Sequence, residues 1–289
     1  MISRKYPLGE QDFPSIRAAG KVYVDKTMYA LHLIETSKSN FLSKPRRFGK
    51  SLFLSTLESI FLGKKELFEG LYIYDKWKFE EYPIIRISFS NIGYREMGLK
   101  QAINDDLDRI YLLYDLPLNK KVISQKFETL IKQLFGKFNK SVVILIDEYD
   151  KPLIDFLDKD KIEIAKENRD ILKTFYSILK DAEPFIKLLF ITGVSKFSKV
   201  SIFSDLNNLT DISTHIKFSE ICGISQEELE ENFVEELQIY DKEKIKDGIM
   251  VTNGILMVTR YIIRTPYLIF SKTKASLKTI GTAPAHLPF

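Results

Sequence analysis

Three consecutive residues, Gly49, Lys50 and Ser51, have the types and the order that bind a chain of phosphates. In such a loop the glycine lets the backbone approach the phosphates, the lysine supplies positive charge, and the serine hydroxyl ligates Mg²⁺. The full pattern G-x-x-x-x-G-K-[ST] also requires a glycine at position 44, where this chain has Lys44. Since the tripeptide is common by chance, its surroundings must distinguish a working phosphate loop from a degenerate one or a coincidence.

The segments around the tripeptide are those that a phosphate loop requires. Residues 40–43 have a strand pattern, and an amphipathic helix pattern begins at Lys50 and stops at Gly63. Backbone N–H groups of the loop and of the helix N-terminus then converge on the phosphates. We therefore predict that the phosphates of ATP contact one continuous run of residues: Lys44, Pro45, Arg46, Arg47, Phe48, Gly49, Lys50, Ser51 and Leu52.

Two arginines in this loop leave two interpretations open. Arg46 and Arg47 are either solvated loop charges, the usual fate of such a pair, or contacts to the phosphates. Beside a phosphate loop, one of the two guanidinium groups can add a charge-assisted hydrogen bond.

A second chemical signal is the pair of acids that ends the apolar run S-V-V-I-L-I-D-E at 141–148. An apolar strand closed by two acids is the Walker B arrangement of ATPases. Asp147 would hold Mg²⁺, usually through water, and Glu148 would orient and deprotonate the attacking water. The alternative is a strand end with two solvated acids. The phosphate loop and the acids together make a chance match improbable.

A third signal follows the apolar strand pattern at 185–193, which ends in T-G-V-S-K. A polar side chain at this place can sense the γ-phosphate or position the water, and we predict Ser195 for this role, with Thr192 second. A simple Ser/Thr turn after a strand is the competing interpretation. The predicted catalytic residues are thus Glu148, Lys50 and Ser195, and the predicted metal ligands are Ser51 and Asp147.

Strand and helix patterns alternate through the body of the chain. Two strand patterns are continuously apolar, which is typical of a parallel sheet covered by helices on both faces. The sequence therefore predicts an α/β fold, a three-layer sandwich. The predicted strands are 22–24, 40–43, 83–90, 141–148 and 185–193, and the predicted helices are 26–37, 50–63, 96–114, 121–138, 165–181 and 225–233, the last capped by Ser225 and Glu228.

Composition limits the cellular setting and the partners. The lone Cys222 excludes an internal disulfide framework and fits a reducing cytosol. The N-terminus has no apolar leader, and no run approaches the ~18 apolar residues of a membrane span. We therefore expect a cytoplasmic protein with no membrane partner.

The net charge of +4 does not predict a nucleic-acid partner. Residues 248–289 contain five Lys or Arg and no acid, so the preceding body carries 38 basic and 39 acidic residues. A nucleic-acid surface requires Lys and Arg clustered on the folded body. Nucleic-acid binding is therefore not supported by the charge of this chain.

Four separated motifs resemble the predicted AAA-ATPase-like family. They are L-G-E-Q-D-F-P-S-I-R-A-A-G-K-V-Y-V-D-K-T, P-R-R-F-G-K-S-L, I-D-E-Y-D-K-P-L and T-G-V-S-K-F-S-K-V-S-I-F-S-D-L-N-N-L-T-D-I-S. The resemblance covers roughly residues 5–247 and implies an AAA/STAND-like P-loop fold that binds ATP and Mg²⁺. In that family a basic residue is usual where this chain has Lys44, so the missing glycine looks like a family trait. The resemblance also implies adenine contacts from the segment Tyr23 to Lys26.

Relatives in that family typically continue with a helical lid and end in a PD-(D/E)XK nuclease-like domain. We accordingly divide the chain into three parts: an ATPase-like domain at 1–220, the start of a helical lid at 221–247, and an atypical tail at 248–289. The acid-free composition of the tail leads to the hypothesis that it is a frameshifted version of the lid, and the alternative is a divergent natural tail. No lysine has an acid two positions before it, so we expect no nuclease activity from this chain.

The predicted function is that of an ATPase module whose ATP hydrolysis gates an effector or partner. Two alternatives remain: an interaction module that binds nucleotide without hydrolysing it, and a remnant of an ATPase–nuclease acting on DNA. ATP is the predicted ligand, and self-association and a protein effector both stay open.

Overall fold

The computed structural model describes residues 5–234 except 119–121, 197–201, 205 and 207. The chain divides into two compact units, the first spanning Met1–Cys222 and the second beginning at Gly223. Residues 235–247 of the predicted lid and the whole predicted tail at 248–289 lie outside the described residues. Within the described part, no helix has both the length and the hydrophobicity needed to cross a membrane.

A five-stranded sheet forms the centre of the first unit. Its strands are β1 (Ser39–Ser43), β2 (Ile84–Ser88), β3 (Val142–Asp147), β4 (Ile186–Gly193) and the short β5 (Thr210–Asp211). They lie in the order β2-β3-β4-β1-β5, and every neighbouring pair is parallel. Since parallel strands end at one edge, the carboxyl ends of β1, β3 and β4 meet there.

Helices cover both faces of this sheet. The helices of the first unit are α1 (Phe13–Ala18), α2 (Thr27–Thr36), α3 (Lys50–Phe61), α4 (Tyr94–Met97), α5 (Leu99–Leu113), α6 (Ile123–Phe138), α7 (Lys151–Ile154) and α8 (Ile162–Asp181). Three short 3₁₀ turns, Lys65–Phe68, Glu183–Phe185 and Ile216–Phe218, connect them.

Alternate residues of the strands belong to two separate cores. Ile144 and Ile146 of β3 pack with the helices α5, α6 and α8, whereas Val143 and Leu145 pack with α2 and α3. This alternation follows from the two-residue period of a strand. The first unit is therefore a three-layer α/β sandwich of the P-loop NTPase type, as the sequence predicts.

Most predicted elements are confirmed within a few residues, and one is wrong. Residues 22–24 do not form a strand, because the only pairing at this place is an isolated bridge between Lys5 and Lys21. Among the residues that the structure describes, no strand pairs with 22–24.

The second unit is described only in its first residues. It contains α9 (Gln226–Asn232), whose first turn is closed by a reciprocal capping box between Ser225 and Glu228. Two N–H groups that the helix leaves unsatisfied are thereby bonded. The predicted capping pair is confirmed.

Candidate active site

The loop between β1 and α3 joins the end of a strand to the first residue of a helix. Gly49 has φ of +91° and directly precedes the first helical residue, and nothing lies within 4 Å of where its Cβ would be. Arg47 also has a left-handed backbone, with φ of +66°. The side chains of Pro45, Arg46 and Arg47 are exposed, whereas that of Phe48 is 3% exposed and packs in the core. The loop therefore exposes residues 45–47 to solvent and is attached to the core by the Phe48 side chain.

The Lys50 side chain is hydrogen-bonded to the backbone at the start of this loop. Its ammonium group donates hydrogen bonds to the carbonyl oxygens of Lys44 and Pro45, both at 2.9 Å. Burial lowers the pKa of Lys50, while the nearby Cys222, Asp147 and Glu148 act in the opposite direction. A desolvated cation at the start of a helix is suited to bind an anion, because the N–H groups of the first turn point the same way.

Two further buried lysines lie near Lys50. Lys44 is 5% exposed, and its ammonium donates to the carbonyl of Ser219 at 3.4 Å, while Lys26 is 7% exposed. Burial raises the pKa of Cys222 to about 11, although Lys50, Lys26 and Lys44 all lower it. The four groups are therefore close together, and the Asp147 carboxylate lies near both Lys50 and Cys222. Sequence reasoning included Lys44 among the phosphate ligands and placed Lys26 only in a segment for adenine.

The metal-binding candidates supply oxygen ligands of the kind that Mg²⁺ prefers. Asp147 ends β3, is 4% exposed, and accepts a 2.6 Å hydrogen bond from the Thr192 hydroxyl of β4. Ser51 and Leu52, in the first turn of α3, are half-buried. Mg²⁺ in nucleotide sites keeps several waters and phosphate oxygens, so one carboxylate and one hydroxyl suffice. Within the described residues, no group of three or more acidic, His or Cys side chains is arranged to hold a metal ion.

Glu148 has an unusual backbone and two polar neighbours. Its φ of +53° is left-handed, a conformation that costs energy in a non-glycine residue and occurs often at functional sites. The Ser90 hydroxyl donates a hydrogen bond to its Oε2, and the Lys151 ammonium lies 3.8 Å from the same oxygen. Ser90 follows β2, the strand beside β3, a proximity that only the strand order reveals.

The two sensor candidates occupy different positions. Thr192 contacts Asp147 directly, whereas Ser195 is two residues beyond β4 and half-buried. The backbone N–H of Ser195 donates to Asp150, and its carbonyl accepts from the Tyr149 hydroxyl. Neither Tyr149 nor Asp150 was singled out from the sequence, although both directly follow Glu148. The sensor role of Ser195 stays a prediction.

Comparisons with known proteins identify the family of this chain. A protein of Azotobacter chroococcum mcd 1, described as an uncharacterized protein in the vnfD 5′ region, is 41% identical over 249 residues. The match covers 85% of this chain and 48% of the relative, so the chain spans about half the length of that relative. The family model described as Predicted AAA-ATPase matches residues 7–203, a segment that includes the phosphate loop, both acids and Ser195. The chain belongs to the predicted AAA-ATPase family.

Proposed function

We propose that this protein binds Mg-ATP and hydrolyses it to ADP and phosphate. One observation carries the proposal. The buried Lys50 begins α3 directly after the loop that follows β1, while Asp147 and Glu148 lie at the end of β3, and the carboxyl ends of these parallel strands share one edge of the sheet. A phosphate-binding cation and two acids at adjoining strand ends are what phosphoryl transfer to water requires.

Each residue contributes a separate step. The N–H groups around Gly49 bind the phosphates, and the Lys50 ammonium exchanges its two carbonyl acceptors for phosphate oxygens. Ser51 and Asp147 would hold Mg²⁺, which supplies charge neutralisation at the β- and γ-phosphates. Glu148 accepts the proton of the attacking water, and Ser90 orients the glutamate through its hydrogen bond.

We further propose that ATP occupancy gates an effector or a partner protein. A ligand can shift a conformational equilibrium only by its difference in affinity for the two states. A phosphate loop whose lysine leaves two carbonyl acceptors when ATP binds offers such a difference. The partner is a protein effector or a second copy of this chain.

A second candidate function is an interaction module that binds ATP without turnover. It is favoured by the hydrogen bond from Ser90 and by the nearby Lys151 ammonium, because both lie against the same Glu148 oxygen, Oε2, which would have to accept the proton of a water. In that case ATP would act as a ligand that stabilises one conformation.

Calorimetric titration with Mg-ATP tests the binding step. We expect Lys50→Ala to weaken ATP binding at least about tenfold, because charge-assisted contacts to phosphate are lost. Lys173→Ala, which changes an exposed lysine on α8, is the matched control and should bind like the wild type. If Lys50→Ala binds and hydrolyses ATP normally, the phosphate-loop assignment is wrong. If the wild type binds ATP and its turnover equals that of Glu148→Gln, the interaction-module function is correct.

A further inference from the structure

Hydrogen bonds continue to join β3 and β4 after their last paired residues. The last paired residues of the two strands are Ile146 and Ile191. Beyond them, the Thr192 hydroxyl binds Asp147 at 2.6 Å, and the Tyr149 N–H donates to the Thr192 carbonyl at 3.0 Å. The left-handed backbone of Glu148 turns the chain at this point, so the residues after it run alongside the end of β4.

Both backbone polar groups of Ser195 are held by the two residues that follow Glu148. The Ser195 N–H donates to Asp150 Oδ2 at 2.6 Å, and the Tyr149 hydroxyl donates to the Ser195 carbonyl at 2.9 Å. The N–H of Val194 donates to the same Asp150 oxygen at 2.9 Å. One carboxylate thus fixes two successive peptide groups.

Burial makes these bonds strong and specific. Asp150 is 1% exposed and Tyr149 fully buried, and a buried carboxylate is costly unless it accepts hydrogen bonds. Hydrogen bonds from N–H groups to an ionised acceptor are roughly twice as strong as neutral ones. The close approach requires a glycine at 193, since a Cβ there would lie 2.3 Å from the Tyr149 ring.

The end of β4 is also bonded to the phosphate loop on its other side. The Ser43 hydroxyl donates to the Val194 carbonyl at 2.9 Å, and the Lys44 N–H donates to the Gly193 carbonyl at 3.2 Å. The position of Ser195 is therefore fixed relative to the phosphate loop and to Glu148 at once.

We propose that Tyr149 and Asp150 are positioning residues that hold Ser195 at a set place relative to Glu148, so that ATP turnover depends on them. The inference rests on the proposed ATPase function and names no contact of either residue with ATP. Their effect on the reaction passes through Ser195. Removing the hold should therefore change kcat and leave ATP binding by the phosphate loop nearly intact.

Two variants weaken the hydrogen bonds to Val194 and Ser195 by different amounts. Asp150→Asn keeps the shape of the side chain and removes its charge, so both N–H bonds weaken. Tyr149→Phe removes only the hydroxyl that binds the Ser195 carbonyl. The second change is the smaller one, and it keeps the test open if Asp150→Asn does not fold.

Amide hydrogen exchange in the nucleotide-free protein tests the hydrogen bonds from Val194 and Ser195 to Asp150 without any catalytic step. We expect Asp150→Asn to raise the exchange rates of the Val194 and Ser195 amides at least about tenfold, because hydrogen bonds to a charged acceptor are replaced by weaker bonds to a neutral one. The amide of Leu189, inside β4 and bonded to the carbonyl of Lys38, is the internal control and should not change. Unchanged exchange at Val194 and Ser195 would refute the inference.

Steady-state kinetics then test whether ATP turnover depends on the hydrogen bonds that position Ser195. We expect kcat to fall about tenfold or more in Asp150→Asn and less in Tyr149→Phe, with KM for ATP within about threefold of the wild type. Because the effect passes through Ser195, the double variant Asp150→Asn/Ser195→Ala should be no slower than Ser195→Ala alone. Multiplying losses in the double variant, or a normal kcat in Asp150→Asn, would refute this inference. A wild type without ATPase activity would instead refute the proposed function.

Discussion

The phosphate loop, residues 44–49 between β1 and α3, and the acidic edge, residues 147–150 at the end of β3, keep their shapes in different ways. In the loop, shape comes from the backbone: Arg47 and Gly49 have left-handed conformations, and the side chains at 45–47 are exposed. At the acidic edge, shape comes from side chains, since Asp147, Glu148 and Asp150 each accept a hydrogen bond from a neighbouring segment.

This difference explains why the two regions should tolerate change differently. A backbone-shaped loop can vary its exposed side chains, here those of Pro45, Arg46 and Arg47, without changing its shape. A side-chain network fails when one member loses its donor or acceptor, because the partner is left buried and unsatisfied. Substitutions that separate backbone effects from side-chain effects therefore sharpen the comparison.

The largest loss of stability is expected where the loop is anchored. Phe48 is 3% exposed and packs in the core beside α3, so Phe48→Ala should lower the free energy of unfolding by about 3–5 kcal/mol. Urea denaturation followed by circular dichroism measures this change. Arg46→Ala, at the exposed neighbouring position, is the control and should alter stability by less than about 0.5 kcal/mol. Equal effects of the two substitutions would mean that the loop has no anchor.

A smaller loss is expected from a single methyl group at the acidic edge. In Gly193→Ala the new Cβ would meet the Tyr149 ring at 2.3 Å and Asp150 Oδ1 at 2.9 Å, so the side chains must shift. Overpacking of this kind typically costs about 1–3 kcal/mol, measurable in the same denaturation experiment. Gly136→Ala, in α6 with nothing within 4 Å of the added methyl, should not destabilise the protein. A stable Gly193→Ala protein would show that the edge is loosely packed.

The smallest effect is a dependence of stability on pH that comes from Lys50. Burial lowers its pKa below 10.5 in the folded protein, so at alkaline pH the unfolded chain binds more protons than the folded one. The contribution of Lys50 to stability should then rise with pH between its lowered pKa and 10.5, by at most about 1.4 kcal/mol per pH unit. The difference in unfolding free energy between wild type and Lys50→Met isolates this contribution. A difference that stays constant with pH would contradict the lowered pKa.

The fold could be predicted because its signals are local. Apolar runs such as 141–148 are buried on both faces of the sheet, and an apolar stripe of α-helical period marks α5 and α6. The wrong strand at 22–24 shows where local signals fail. Its aromatic residue, Tyr23, packs edge-on against Phe13, and its hydroxyl lies 3.2 Å from that of Thr56. Burial between helices selects the same residue types as a strand.

The site could be predicted only as far as its motifs extend. Lys50, Ser51, Asp147 and Glu148 stand in recognisable patterns, and the structure brings their elements to one edge of the sheet. Ser90 could not be predicted, because 58 positions separate it from the carboxylate that it contacts. Tyr149 and Asp150 were missed for a related reason, since their partners lie on another strand.

The central claim is that the loop binds ATP and the acidic edge hydrolyses it. Parallel measurements of ATP dissociation constant and phosphate release for wild type, Glu148→Gln and Glu163→Gln test it most directly. Glu163 is an exposed acid of α8, so its variant controls for loss of charge alone. We expect Glu148→Gln to bind ATP like the wild type and to release phosphate about 10²–10⁴ times more slowly, the usual range for a lost general base, while Glu163→Gln behaves as wild type. Equal rates of phosphate release in wild type and Glu148→Gln would contradict the account.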